Sequence, residues 1–269
     1  MSDFGVIDGF PRTATYGAVT GSSTGTVVTG SASANTYGSW TELVASTSFD
    51  TDLLIATFAD PSKVGAQLYD LAVGAAGSEQ PIAEGLINRV DTLSKGSTAT
   101  YALPLYIPAG SRISCRVNNE QGSTSSKVLC MAKSGGFSSK SFQKLEKINA
   151  GAATFSGYSA NTKGAWQSFG STDKAYRGLH IAYALLDFDT SGSTTMLMDV
   201  GFGSAGSEVV AIANLLTAGQ TGSAITRYSW QNFAIEGEIP SGTPISGRFQ
   251  SSGASSANRY WYVVIYGYL

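Results

Sequence analysis

His180 is the one histidine in the sequence, and therefore the one imidazole that could act as a catalytic base. A serine or cysteine nucleophile normally needs such a base, so a catalytic triad would have to include this residue. It lies in the segment 179–183, where it alternates with apolar residues as in a β-strand. A hydrogen-bonded or exposed strand histidine is the favoured interpretation. The carboxylates of a glycosidase could still meet in space, but none has a recognisable catalytic context, and we predict that the chain is not an enzyme.

The segment 187–192 has the pattern Asp-x-Asp-x-Ser-Gly, which is the first half of a calcium-binding EF-hand loop. Asp187, Asp189 and Ser191 would supply its oxygen ligands. The twelfth position of the loop is Met198, however, where an EF-hand has a bidentate glutamate. A turn rich in aspartate is therefore the favoured interpretation, with a calcium site as the alternative. No cluster of Cys or His has the spacing of metal ligands, and we predict no cofactor.

Two segments with the pattern Gly-x-Ala-Gly-Ser-Glu, at 74–79 and 203–208, could hold a phosphate or present a nucleophilic serine. Neither is followed by the Lys-Ser/Thr of a P-loop, and neither has the strand-to-helix elbow of a serine hydrolase. We instead predict a turn in which the glycines adopt positive φ and Glu79 or Glu208 binds loop amides.

The elements that must position these residues are defined by an internal repeat. Three blocks recur in the same order with 6 of 8, 7 of 12 and 6 of 10 positions identical. The paired blocks are 33–40 with 159–166, 68–79 with 197–208, and 107–116 with 239–248. We predict a tandem duplication with domains at 1–135 and 136–269, separated near Ser134-Gly135-Gly136. The Gly/Ser/Thr-rich segment 11–34 is either an irregular arm, spanning about residues 1–32, or a first strand with long loops, and the arm is favoured.

Composition predicts the fold class. Only 13% of the 269 residues are charged, about half the usual share, and glycine occurs 32 times. The short apolar runs are 40–45, 53–59, 67–74, 81–87, 100–107, 112–118 and 127–133, then 178–187, 195–202, 209–216, 226–239, 244–250 and 258–269. Short strands without helical crossovers predict an all-β fold of two tandem antiparallel β-sandwiches of the jelly-roll type.

Charge and hydropathy exclude several partners. The net charge is -2, which gives no basic field for a phosphate backbone, so nucleic acid is not expected. No apolar run reaches the length of about 18 residues that a membrane span requires. The first residues, 1–5, lack the basic and apolar regions of a signal peptide, so we expect synthesis in the cytoplasm without secretion.

Four polar residues recur in the repeat at positions that face away from the core. Asp70 and Arg116 lie in the first copy, and Asp199 and Arg248 lie in the second. We predict a salt bridge or a shared hydrogen-bond network within each pair.

The two cysteines, Cys115 and Cys130, lie on consecutive predicted strands of the first copy. A hairpin centred between Gly122 and Ser123 would place them directly opposite each other. Two buried thiols are the favoured interpretation, since synthesis in the cytoplasm keeps them reduced, and a cross-strand disulfide formed after release from the cell is the alternative.

Aromatic residues of the second copy are the candidates for a functional surface. Tyr260, Tyr262, Tyr266 and Tyr268 fall on one face of the last strand, opposite Val263 and Ile265, and Trp230 is a further candidate. Burial against a partner subunit is the favoured interpretation, and stacking on sugar rings is the alternative.

The duplicated Asp-hydrophobic-x-x-Gly-x-Ala-Gly-Ser-Glu and Ile-Pro-x-Gly-x-x-Ile-Ser-x-Arg segments resemble those of virion proteins of tailed bacteriophages. The resemblance implies a non-enzymatic structural protein of the virion, such as a capsid decoration protein, a head fibre or a tail accessory component. It implies a homo-oligomer, with a trimer favoured, that binds other capsid or tail proteins. A carbohydrate-binding or receptor-binding module that recognises a host surface glycan is the alternative function.

Overall fold

The computed structural model describes residues 12–17, 19–20, 23–90, 98–135, 142–155, 159–186, 195–218, 231–251 and 259–269. All regular secondary structure in this part of the chain is β-strand, as composition predicts. The strands pair antiparallel, apart from one parallel contact described below.

The strands up to residue 135 are β1 (Arg12–Tyr16), β2 (Val19–Thr20), β3 (Ser23–Thr24), β4 (Thr26–Thr29), β5 (Thr41–Val44), β6 (Leu53–Ala59), β7 (Gly65–Val73), β8 (Gln80–Val90), β9 (Thr98–Leu103), β10 (Ile113–Asn119) and β11 (Ser125–Ser134). Eight of them form two facing layers in the orders β1-β11-β6-β9 and β5-β10-β7-β8, which is the arrangement of a jelly roll. β4 pairs with the remaining length of the β11 edge, and β2 and β3 form a small ribbon.

The strands after residue 135 are β12 (Leu145–Phe155), β13 (Gln167–Ser171), β14 (Tyr176–Leu186), β15 (Thr195–Phe202), β16 (Val209–Ala218), β17 (Gln231–Ile239), β18 (Pro244–Ser251) and β19 (Arg259–Tyr268). Their orders are β12-β19-β14-β17 and β13-β18-β15-β16. The second jelly roll has the same strand order as the first, with β12 in the place of β1 and β13–β19 in the places of β5–β11. The strand order therefore repeats as a duplication requires, while the domain boundary near residue 135 stays a prediction.

Two hydrophobic clusters fill these layers. The first contains Phe58, Tyr69 and Leu71 and extends to Tyr266 and Tyr268 of β19. The second lies between the sheets of the second jelly roll and contains residues such as Val200, Ile245, Val263 and Ile265. Because β19 contributes to both clusters, both of its faces are buried over 263–268, whereas an antiparallel sheet commonly has one solvated face.

Part of the segment expected to be an arm is instead strand. β1 and β4 both pair with β11, so the alternative of a first strand describes 12–16 and 26–29. The reason is local: Thr and Val favour extended backbone, and Tyr16 and Val28 are buried in the first cluster.

Candidate functional site

The two jelly rolls are joined through main-chain pairing. Leu145 of β12 pairs with Ala83 of β8 in parallel register. The layer β5-β10-β7-β8 thereby continues into β12-β19-β14-β17, and together they form one eight-stranded sheet. A shared sheet restricts the relative motion of two domains far more than a flexible linker does.

An aromatic cluster fills the space above this junction. Tyr101 of β9 and Tyr266 of β19 lie edge to face, with ring centroids 6.3 Å apart, and both are fully buried. The Tyr266 hydroxyl donates a hydrogen bond of 3.0 Å to the carbonyl of Gly85, and the Tyr101 hydroxyl donates one of 2.7 Å to the carbonyl of Ile87. Both phenols are therefore bonded to β8, so that one cluster connects the two halves of the chain.

His180 lies at the edge of the same cluster and is buried. Its Nδ1 is 2.9 Å from the Tyr268 hydroxyl, and its ring is 5.7 Å from that of Tyr101. Tyr268 in turn stacks on Phe142 with centroids 4.4 Å apart. The imidazole of His180 and the phenol of Tyr268 are thus packed inside the aromatic cluster.

The predicted tyrosine ladder is wrong as an exposed surface for two of its members. Alternation along β19 is as expected, with Val263 and Ile265 in the second cluster and the tyrosines opposite. Tyr266 and Tyr268 nevertheless have no exposed area, because the first jelly roll covers their face of the sheet. The side chains of Tyr260 and Tyr262, and Trp230 as a whole, lie outside the described residues.

Charged residues surround the junction on its solvent side. Lys144 Nζ lies 3.0 Å from Glu84 of β8 and 2.9 Å from Glu146 of β12. Lys174 Nζ lies 2.6 Å from the second oxygen of Glu146. Burial acts to raise the pKa of Glu146, but the hydrogen bonds from Lys174 and Lys144 outweigh it and hold the pKa below its usual value.

The depressed pKa of Glu146 predicts how the junction responds to acid. Its contribution to stability is complete above the unfolded pKa of about 4.3 and is lost as the pH falls through the lower folded value. We expect the melting temperature to fall less between pH 7 and pH 3 in Glu146→Gln than in the wild type, as measured by circular dichroism. Glu238→Gln, an exposed change on β17, is the control, and an equal response of both variants would contradict the prediction.

The structure brings Asp70 and Arg116 together as a directly opposed cross-strand pair of β7 and β10. One Asp70 oxygen accepts bonds from Arg116 at 2.7 and 2.8 Å, and the other accepts the Gly85 amide at 2.8 Å. The guanidinium lies over the rings of Tyr37 and Trp40, 4.4 Å from each centroid. Burial, and then Asp70, raise the pKa of Tyr37. We call this group the first arginine cluster.

Asp199 and Arg248 form the second arginine cluster. Arg248 Nε donates to Asp199 at 2.9 Å, and the Asn214 amide donates to the other carboxylate oxygen at 2.9 Å. Arg248 lies 4.6 Å from the Trp166 ring centroid, while Lys163 occupies the place of Tyr37 and also binds Asp199. Burial acts to raise the pKa of Asp199, but these bonds lower it. The recurrence of Asp and Arg in the repeat predicted the ion pairs. The aromatic partners were not predicted, although Trp40 and Trp166 stand in the first repeated block.

The backbone conformation of Gly85 and Asn214 explains why Asp70 and Asp199 each accept a hydrogen bond from a main-chain N–H. Both residues have positive φ, of 65° and 58°, in equivalent irregularities of β8 and β16. This left-handed backbone turns the N–H toward the aspartate of the neighbouring strand, and glycine and asparagine are the residues that adopt it most readily. The bulge is therefore part of each arginine cluster.

The two Gly-x-Ala-Gly-Ser-Glu segments are tight turns. Gly77 and Gly206 have positive φ, and their amides donate to Glu79 and Glu208 at 2.9 Å in both copies. Glu79 also accepts a bond from Arg112 at 3.1 Å. The carboxylates occupy the loop amides that a phosphate would need, which matches the structural interpretation of this pattern.

Cys115 and Cys130 are free and fully buried in the first hydrophobic cluster. The predicted hairpin is wrong, because β10 and β11 lie in different sheets and face each other across the core. Burial raises the pKa of Cys130 to about 12 and also raises that of Cys115, so both stay protonated thiols at neutral pH.

The last site predicted from the sequence is the calcium site. Its candidate ligands Asp187, Asp189 and Ser191 lie outside the described residues. Within the described ranges, no group of three or more His, Cys, Asp or Glu side chains could hold a metal ion. The same part of the chain contains no helix that is long and apolar enough to span a membrane.

Comparison with known proteins gives similarity in structure alone. No family model and no curated protein matches the sequence. The STIV MCP aligns over 96% of this chain and 97% of its own, with 11% identity and a TM-score of 0.35. The atomic structure of Sulfolobus turreted icosahedral virus aligns over 96% and 91%, with 10% identity and a TM-score of 0.34. The tandem CBM22 domains of Paenibacillus barcinonensis Xyn10C align over 96% and 91%, with 9% identity and a TM-score of 0.27.

Proposed function

We propose that this chain is a non-enzymatic structural protein of a bacteriophage particle. It acts by symmetric self-association and by docking on capsid or tail proteins, as a decoration protein, a fibre or a tail accessory component. The protein is made in the host cytoplasm and resides in the virion. A trimer is the building unit that we expect, in line with the sequence resemblance.

The observation that carries this proposal is the shared eight-stranded sheet with its buried aromatic cluster. At the junction, the rings of His180 and Tyr266 pack against Tyr101 and so connect the two jelly rolls. Groups that an enzyme would expose to substrate are here part of the packing. A double domain whose halves share one sheet suits a structural particle protein better than an enzyme that must open and close.

Surface composition supports the same proposal. With 13% charged residues and a net charge of -2, copies of the chain repel one another weakly. Symmetric assemblies bury such surfaces against themselves or against a shell. Sugar recognition by the tyrosines of β19 has less support, because Tyr266 and Tyr268 are inaccessible to a ligand.

Two measurements test the proposed function. We expect mass spectrometry of gradient-purified particles to find peptides of this chain in a fixed ratio to the shell protein. We also expect light scattering of the isolated protein to give the mass of an oligomer. A protein that is absent from purified particles would refute the virion assignment, whatever its mass in solution.

A further inference from the structure

The strand β16 is the second jelly roll's equivalent of β8. Each is the end strand of one four-stranded layer of its own jelly roll. In the first jelly roll this edge is covered, since β12 pairs with β8 and Tyr266 binds Gly85. In the second jelly roll, β16 has β15 on one side and no strand on the other among the residues that the structure describes. Among the described residues, the same edge therefore occurs twice, covered in the first jelly roll and unpaired in the second.

Burial differs between the two strands as this arrangement requires. Ile82, Ala83 and Leu86 of β8 are 6%, 0% and 0% exposed. Their equivalents Ala211, Ile212 and Leu215 are exposed or only half-buried. At the start of β16, Val209 is 72% exposed and Val210 is 40% exposed. The fold therefore buries this strand where a neighbouring jelly roll lies against it and leaves it open where none does.

β16 has a bulge at Asn214, but β8 has the same bulge at Gly85 and still pairs with β12. The other features that keep an edge strand from pairing are missing from β16. Exposed edges are usually protected by charged residues or proline. β8 has Pro81 and Glu84, but the equivalent positions of β16 are Val210 and Ala213, and the ten residues 209–218 contain no charge and no proline. An apolar, unprotected edge of this length is adapted to receive another strand.

We propose that β16 pairs antiparallel with β16 of a second copy of this chain across a two-fold axis. This inference rests on the self-association in the proposed function and names its surface. The edge of β8 is covered by the second jelly roll, which indicates that a jelly roll of this chain is the kind of partner that fits. Within a second copy, β16 is the complementary strand, because full antiparallel register places Val209 and Val210 opposite the uncharged Ala218 and Thr217. The edge strand β1 instead presents Arg12 and threonines.

Self-pairing of β16 also satisfies symmetry and charge. Antiparallel strands related by a two-fold axis use the same surface on both copies, which closes the contact without forming a filament. An uncharged strand meets its own copy without like-charge repulsion. The contact joins chains in pairs, so the assembly contains an even number of chains, whether as a dimer or as two trimers joined to each other.

The test compares the full-length protein with Val209→Lys/Val210→Lys. Both side chains are exposed, so the variant should keep the wild-type melting temperature within a few degrees. Multi-angle light scattering should show that its molar mass is half that of the wild type. Gln80→Lys, the same change at the equivalent exposed position of β8, is the matched control and should keep the full mass. Hydrogen exchange at 209–218 should slow as the wild-type concentration rises.

Several results would overturn the inference. These are a wild-type mass that corresponds to a monomer or an odd number of chains, an unchanged mass in the double variant, or an equal loss of mass in Gln80→Lys. Particle incorporation of the double variant is measured separately. A halved mass with normal incorporation supports the β16 contact and leaves the proposed function standing, whereas absence of the wild type from particles refutes that function without affecting the mass result.

Discussion

Asp70→Ala is expected to lower the free energy of unfolding by about 3–5 kcal/mol, because it breaks a buried ion pair. The side chain of Asp70 is 3% exposed and binds both the Arg116 guanidinium and the Gly85 amide. Its removal leaves the Gly85 N–H without an acceptor and leaves the Arg116 guanidinium, which is 29% exposed, without its counter-charge. The loss is measured by urea denaturation followed by circular dichroism.

The matched control is an ion pair at the surface of the same jelly roll. Glu42 is 49% exposed and binds Arg112 at 2.8 Å, so Glu42→Ala should cost no more than about 1 kcal/mol. Asp199→Ala repeats the first experiment in the second arginine cluster and should also be severe, since it leaves Arg248 and Lys163 without a counter-charge. Similar losses for Asp70→Ala and Glu42→Ala would mean that the first cluster is not a buried network.

Tyr266→Ala is expected to destabilise the protein by about 3–5 kcal/mol and to uncouple the two jelly rolls. The change opens a cavity between Tyr101 and β8 and removes the bond to Gly85. Because the ring belongs to the first cluster while its strand belongs to the second jelly roll, the junction is the region that weakens. Calorimetry should show one transition for the wild type and two for the variant.

Two changes separate packing from hydrogen bonding at Tyr266. Tyr266→Phe removes only the hydroxyl and should cost about 1 kcal/mol while keeping a single transition. Tyr106→Ala removes a side chain that is 42% exposed and should have a small effect. If Tyr266→Ala behaved like Tyr106→Ala, the aromatic cluster would not hold the junction together.

Local and repeated features could be predicted from the sequence. The bounds of many strands followed from short apolar runs between Gly, Pro and Ser, although no run predicted β12 or β13. The Asp70 and Arg116 pair followed from its recurrence as Asp199 and Arg248. These predictions succeed because they need only alternation within a strand and one antiparallel neighbour, both of which leave a pattern in the residues.

The prediction of a hairpin that pairs Cys115 with Cys130 is wrong for a topological reason. β10 and β11 are consecutive in the chain but lie in opposite sheets of the jelly roll, so they face each other without pairing. Alternation and spacing are the same for a hairpin and for such a crossing. The pattern therefore predicted that both thiols point inward but could not predict which strands lie beside them.

The prediction of an exposed tyrosine face on β19 is wrong at Tyr266 and Tyr268 for a different reason. Its alternation separates Val263 and Ile265 from Tyr266 and Tyr268 correctly, yet no residue pattern shows that the tyrosine face meets another jelly roll. The main-chain pairing at that contact consists of two short parallel bridges, Ala83 with Leu145 and Leu105 with Phe142, which are too short to leave a pattern in the sequence. An apolar face looks the same in sequence whether it contacts a partner chain or another part of its own chain.

The double burial of β19 also sets an order for biosynthesis. Tyr266, which completes the first hydrophobic cluster, follows its partner Gly85 by 181 residues. At translation rates of about 5–20 residues per second, the ribosome needs about 10–40 s to add the intervening chain. During that interval the emerging first jelly roll lacks its final aromatic contacts, and its β8 edge is open to other nascent chains. Polysomes that bring many copies close together are consequently where this protein is most exposed to mispairing.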